Sequence, residues 1–157
     1  MERLLGSRGC IVCGQENPVG LHLCFRVDGE GAESAWVVRP EYQGFAGVLH
    51  GGMVLALLDD AMWYAVYARE AIALTAEATV RYRARAEVGQ ALRVRGTVVR
   101  SRGRLFECGA ELIRVGDGTV LASAEGKFVT VPADDLGALV GGTGVHEVPR
   151  TDILDPR

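Results

Sequence analysis

The order of apolar segments predicts an α+β fold in which one antiparallel sheet wraps around a single central helix. Three observations carry this. Residues 53–68, after Gly52, hold neither Pro nor Gly and are apolar on nearly every side, so the helix they form needs cover all round. Four strand-like segments follow it, separated by turns too short for anything but antiparallel neighbours. Two more strand-like segments precede it.

Taken in order, residues 1–19 read as a Gly- and Cys-containing arm ending at the turn signal Asn17-Pro18. Leu21, Leu23, Phe25 and Val27 alternate with His22, Cys24 and Arg26, the period of a half-buried strand over 21–27. Asp28-Gly29 marks a turn, and 32–38 reads as a second strand. Residues 40–48 form a loop ahead of the helix. Strands are then expected over 72–86, 90–101, 105–115 and 119–131, with turns at Val88-Gly89, Arg102-Gly103 and Gly116-Asp117-Gly118. The remainder, 132–157, with Gly141-Gly142-Thr143-Gly144, reads as a loose tail with one short helical turn at 134–139. This is a single domain, 1–157, with its core at 20–131, and its architecture is that of a hotdog fold. The long segment 72–86 directly after the helix is a candidate sheet edge and therefore a place for self-association.

Composition narrows the function. The chain has 157 residues, a net charge of −3 and 48% hydrophobic residues, which argues against generic binding to nucleic acid or to an anionic membrane. No run approaches the apolar length of a membrane span, and the first residues lack the apolar stretch of a signal peptide. Four unevenly spaced cysteines do not make a secreted disulfide framework, so reduced thiols in a cytoplasmic protein are expected.

The chemistry concentrates in Phe45–Met62. There the turn His50-Gly51-Gly52 opens the helix, and Asp59 and Asp60 are its only charges. An unpaired buried carboxylate is costly, so two of them require an explanation. Winding the helix at 100° per residue sets Asp59 beside Leu55, Met62 and Val66, and Asp60 beside Ala56, Trp63, Tyr64 and Tyr67. The first cation beyond them is Arg69. For Asp60 a hydrogen bond to a tyrosine or a neighbouring subunit is the favoured reading, and for Asp59 chemistry is. The free N–H groups at the start of the helix, with glycines that admit close approach, suit a carbonyl becoming an oxyanion. Gly51 and Asp59 lie about 12 Å apart along one helix axis. One reacting carbon cannot lie about 3 Å from both, so a site using both requires two copies of the chain with antiparallel helices.

The pattern resembles the phenylacetate-degradation (PaaI-type) branch of the hotdog thioesterases, which are acyl-CoA hydrolases. The resemblance spans residues 10 to 131 and rests on Cys10-x-x-Cys13-Gly14, Asn17-Pro18-x-Gly20-Leu21, His50-Gly51-Gly52, Leu57-Leu58-Asp59 and the closing segment 119–131. It implies a homotetramer of two hotdog dimers that hydrolyses an acyl- or aroyl-CoA thioester without a cofactor. Asp59 then matches the catalytic carboxylate, as nucleophile or general base, and Gly51 the backbone N–H that polarises the carbonyl. His50 shapes the turn beside Gly52, and Thr75 falls where relatives place a hydroxyl that orients water. The chain departs from that pattern at Gly44, where Gln43 is the substitute, and at Trp63, where some relatives carry a hydroxyl.

Arg81, Arg83 and Arg85, with Arg93 and Arg95 on the next strand, form a cluster suited to the phosphates of coenzyme A. Trp36, Trp63, Tyr64 and Tyr67 are candidates for an acyl pocket or for core. Cys10, Cys13, His22 and Cys24 match a Cys3His zinc set in ligand type, but His22-x-Cys24 is not knuckle spacing, and an inert packing role without metal is expected. The alternatives to hydrolysis are a non-catalytic acyl-CoA binding or sensing protein and a hydratase or dehydratase on the same scaffold.

Overall fold

The computed structural model describes residues 2–28, 30–140 and 143–148; Met1, Gly29, Gly141, Gly142 and the tail from 149 onward lie outside it. In chain order the elements are β1 (Glu2–Ser7), β2 (Arg26–Asp28), β3 (Gly31–Val37), a 3-10 turn (Pro40–Tyr42), α1 (Gly51–Tyr67), β4 (Ala73–Tyr82), β5 (Ala91–Arg102), β6 (Leu105–Arg114), β7 (Val120–Thr130), α2 (Ala133–Val140) and β8 (Thr143–Val148). Six strands form one antiparallel sheet in the order β2-β3-β5-β6-β7-β4, and α1 lies across it, touching β3, β4, β5, β6 and β7. This is the hotdog fold.

The helix is held by burial. Leu57, Leu58, Ala61, Met62, Ala65 and Val66 are each 1% exposed or less, facing Leu92, Val94, Leu112, Ala124 and Phe128 of the sheet. The inward positions of β5 alternate with exposed ones, as period-2 strands require. One glycine sets how closely helix and sheet approach. A Cβ on Gly96 of β5 would sit 2.2 Å from the backbone oxygen of Ala61. Backbone cannot yield as a flexible side chain does, so Gly96→Ala is expected to displace α1 and cost about 1–3 kcal/mol or more. A thermal melt should show a drop of several degrees; an unchanged midpoint would contradict this packing.

Three expectations change. The 21–27 segment is a ladder strand only from Arg26. Leu21, Leu23 and Phe25 are buried as the alternation predicts, but His22 takes a left-handed φ of 58°, and Leu21 and Leu23 bond back to Ile11 and Val12 instead of to a neighbouring strand. The 72–86 strand ends at Tyr82, so Arg83 and Arg85 lie just past it. The arm and the tail are not without regular structure: β1 and β8 pair antiparallel from Glu2↔Val148 to Ser7↔Thr143, and α2 extends the short turn expected at 134–139.

β4 occupies one edge of the sheet. It bonds β7 along one side, and no strand among the described residues pairs with the other. Only Ala73 of its ten residues is buried, and Leu74 and Tyr82 are 55% and 57% exposed. The opposite edge, β2, is three residues long and blunted. A ten-residue edge with exposed apolar side chains is a template for pairing with another chain.

Candidate functional site

The start of α1 is shaped by its cap. His50 is the N-cap, with extended φ −60° and ψ 135°, and its ring Nδ1 accepts the Gly52 N–H at 2.8 Å. Accepting that bond requires a lone pair on Nδ1, so the imidazole works as a cap. The His50 backbone N–H donates to Tyr42 O at 2.9 Å, which ties the turn to the preceding loop. A Cβ on Gly52 would lie 3.0 Å from His50 Nδ1, so glycine keeps the cap in place. With the N–H of Gly52 used by His50, and those of Met53 and Val54 by His50 O, the N–H of Gly51 takes no partner among the described residues. Tyr82, at the end of β4, donates its hydroxyl to Gly51 O at 2.8 Å.

Two turns along the helix, Asp59 is half-buried. Thr75 Oγ1 donates to Asp59 Oδ1 at 2.8 Å, across from helix to edge strand. The ladder of β4 with β7 shifts between Thr75 and Glu77, a bulge immediately after the residue that reaches the carboxylate. Burial pushes the Asp59 carboxyl up from its ordinary value, and the Thr75 hydroxyl opposes this by stabilising the ionised form. Removing that donor in Thr75→Val therefore raises the Asp59 pKa further. If Asp59 acts ionised, the acid limb of kcat/KM moves to higher pH in the variant, while the alkaline plateau changes less. A pH–rate profile checks the direction, and a shift to lower pH contradicts it.

The other sequence candidates are dispersed. Trp63, one turn beyond Asp59, donates its indole N–H to Ala73 O at 2.9 Å and stacks on Tyr67 at 5.7 Å, so it joins the helix to β4. Gln43 accepts the Gly47 N–H at 3.0 Å and braces the loop before His50. Arg81 and Arg83 are exposed, Arg81 opposite Ser123 on β7. An open cleft of about 420 Å³ runs beside Thr75, lined by Leu74, Arg104, Val129, Val131 and Leu139 among others.

Asp60 goes elsewhere. The arm folds Cys10 and Cys13 against it, so that both Sγ atoms and a carboxylate oxygen lie within 4.8 Å of one another. His22 and Cys24 are not part of this group; His22 donates to Asn17 O, and Cys24 is exposed. The Cys3His set read from the sequence is thus not brought together. Burial above all, with the nearby charge of Cys10, pushes Asp60 up to about 8, while Cys10 is held down at about 5 by hydrogen bonding from Cys13 and from backbone amides. Between the ordinary Asp value of about 3.9 and about 8, Asp60 binds more proton in the folded than in the unfolded chain, so its contribution to stability falls as pH rises. Cys10, lowered on folding, acts in the opposite sense between about 5 and its ordinary value. The Asp60 part, with its coupling to Cys10, is read in the difference between the two proteins. The stability of Asp60→Asn relative to wild type should grow from pH 5 to pH 8 by about 3–4 kcal/mol. Reduced protein melted across that range would contradict this with a constant difference.

A sequence profile of the thioesterase superfamily matches residues 46–121, which include the His50 turn, Asp59 and Thr75. A thioesterase superfamily protein of known crystal structure is 27% identical, with a TM-score of 0.73, over 78% of this chain; the chain spans only 60% of its length. The E. coli PaaI protein of the phenylacetic acid degradation operon is similar at TM-score 0.66 and 18% identity, over 71% of this chain and 81% of that one. A thioesterase protein from Streptococcus pneumoniae, solved with coenzyme A, is similar at 0.66 and 14%, over 69% and 85%. None of the curated proteins compared with the chain matches it. The profile over residues 46–121, together with the six-stranded sheet packed on one helix, makes the hotdog core of this chain similar to the thioesterase superfamily.

Proposed function

We propose that the protein hydrolyses an acyl- or aroyl-CoA thioester, as a PaaI-type thioesterase, in a site completed by a second copy of the chain. The observation that carries this is the division of labour along α1, with an unpartnered N–H at Gly51 and a desolvated, hydroxyl-bonded carboxylate at Asp59. The thioester carbonyl accepts the Gly51 N–H of one protomer, at the positive end of its helix. Asp59 of the second protomer removes a proton from water or attacks the carbonyl carbon itself. Either route gives a tetrahedral oxyanion held at Gly51, which collapses with the coenzyme A thiolate as leaving group; on the second route the acyl anhydride left on Asp59 is then hydrolysed by water.

Thr75 holds the carboxylate toward that point, and Arg81 and Arg83 serve the coenzyme A phosphates. The exposed β4 edge supports a dimer formed edge to edge, and pairs of dimers make the tetramer. The streptococcal neighbour bound to coenzyme A supports the ligand class. Structures of that protein were also determined with an aspartate, and with a threonine sixteen positions beyond it, changed to alanine; Asp59 and Thr75 stand sixteen apart here. No helix among the described residues is long and apolar enough to cross a membrane, and the proposed setting is the cytoplasm, where its thiols stay reduced.

Thiol release from a panel of acyl- and aroyl-CoA substrates tests the reading. Turnover of at least one class, without hydration of enoyl-CoA, supports it. Tight acyl-CoA binding with no release by wild type would replace it with a binding protein.

A further inference from the structure

The arm that precedes the sheet holds a dithiol for which thioester hydrolysis has no use. Cys10 to Gly14 makes one helical turn, with the Gly14 N–H donating to Cys10 O at 3.1 Å. Leu21 and Leu23 donate to Ile11 and Val12 at 2.8 and 2.9 Å and pin that turn to the core. The three-residue spacing puts both sulfurs on one side of the turn. They are not equivalent. Cys13 is 6% exposed, whereas Cys10 is half-buried and follows Gly9, where an added side chain would meet nothing within 4 Å. Val12 donates its N–H to Cys10 Sγ at 3.3 Å. Asp60, from the middle of α1, completes the group, and its Oδ2 is buried without a hydrogen-bond partner.

We propose that Cys10 and Cys13 are a redox-active dithiol that reduces small-molecule disulfides, with Cys10 as attacking thiolate, Cys13 as resolving thiol and Asp60 as acceptor of the Cys13 proton. In the first step the Cys10 sulfur bonds to one sulfur of the disulfide, and the other leaves as a thiolate that water protonates. In the second, the Cys13 proton passes to the Asp60 carboxylate, and the Cys13 sulfur attacks Cys10. The second thiolate leaves and a Cys10–Cys13 disulfide remains. The dithiol loses two electrons and the substrate disulfide gains them; a thiol reductant restores the dithiol.

The electrostatics suit this order. Hydrogen bonds to the Cys10 sulfur favour its thiolate. The charge of that thiolate is one of the causes that keep Asp60 protonated. Once Cys10 is bonded to the substrate its charge is gone, and Asp60 ionises more easily when a base beside Cys13 is required. A structural zinc ion fits less well, because two thiols and one carboxylate fall short of the four protein ligands of a closed tetrahedral site.

The test exposes the reduced full-length protein to glutathione disulfide and maps thiols by peptide mass spectrometry, after measuring zinc in the purified protein. Wild type should form the Cys10–Cys13 disulfide without accumulating a glutathione adduct. Cys13→Ser, and Cys13→Ala in parallel, should trap the adduct on Cys10. Asp60→Asn should form the adduct at the wild-type rate but resolve it about tenfold to a hundredfold more slowly, a split that a merely structural role would not produce. The proposal is overturned if wild type forms no such disulfide at any ratio of glutathione to its disulfide, or if adduct collects on the exposed Cys24 instead. One zinc per chain that is lost in both Cys10→Ser and Asp60→Asn would overturn it in favour of a metal site. Neither result bears on hydrolysis at Asp59.

Discussion

Asp59→Ala is expected to lower thioester turnover by about 10²–10⁴-fold, the usual cost of removing a positioned acid–base group. The side chain is half-buried and bonded to Thr75, so its loss leaves a small gap at the helix surface and a free hydroxyl, without touching the packed residues Leu58 and Met62. The fold should survive, and KM should change far less than kcat, because in the proposed mechanism the carboxylate acts on the reacting centre and not on the coenzyme A moiety. Initial rates of thiol release, measured alongside circular dichroism of both proteins, check this. An unchanged kcat would remove Asp59 from the chemistry.

Gly51→Pro is expected to cost about 10²–10³-fold in kcat, as loss of one oxyanion donor does elsewhere. The substitution is unusually selective. Gly51 is the first residue of α1, where proline is well accepted, and its N–H makes no bond among the described residues that proline would break. His50 before it already has the extended ψ of 135° that a following proline demands. A Cβ there would meet the Tyr82 ring at 3.6 Å, an ordinary contact. Only the donor is lost. Turnover at the wild-type level in a folded Gly51→Pro protein would mean that the carbonyl is polarised elsewhere.

Much of this was legible in the residues, for reasons that differ by element. The helix and the four strands after it carry periodicities that burial alone imposes, and their ends fall within a few residues of the turns that punctuate them. The 21–27 segment shows where periodicity stops short. Its inward residues are buried as expected, yet the left-handed His22 and the bonds to Ile11 and Val12 are tertiary facts that alternation cannot encode. Asp60 is a similar case. The absence of a local cation marked it as needing a partner, but tyrosines four and seven residues away are local knowledge, and the groups that meet it come from an arm some fifty residues earlier. The hydrogen bond between Asp59 and Thr75 was approachable through resemblance alone, since nothing in the spacing tells which residue of an edge strand, ahead of a bulge, will reach back to the helix.

The most direct measurement mixes the two inactive proteins. Asp59→Ala and Gly51→Pro chains, unfolded together and refolded at equal concentration, form mixed dimers in which one of the two sites has both an intact Gly51 N–H and an intact Asp59. With random pairing, thiol release should recover to about a quarter of the wild-type rate. If each chain carried a complete site of its own, the mixture would stay as inactive as its parents, and that outcome would contradict the account.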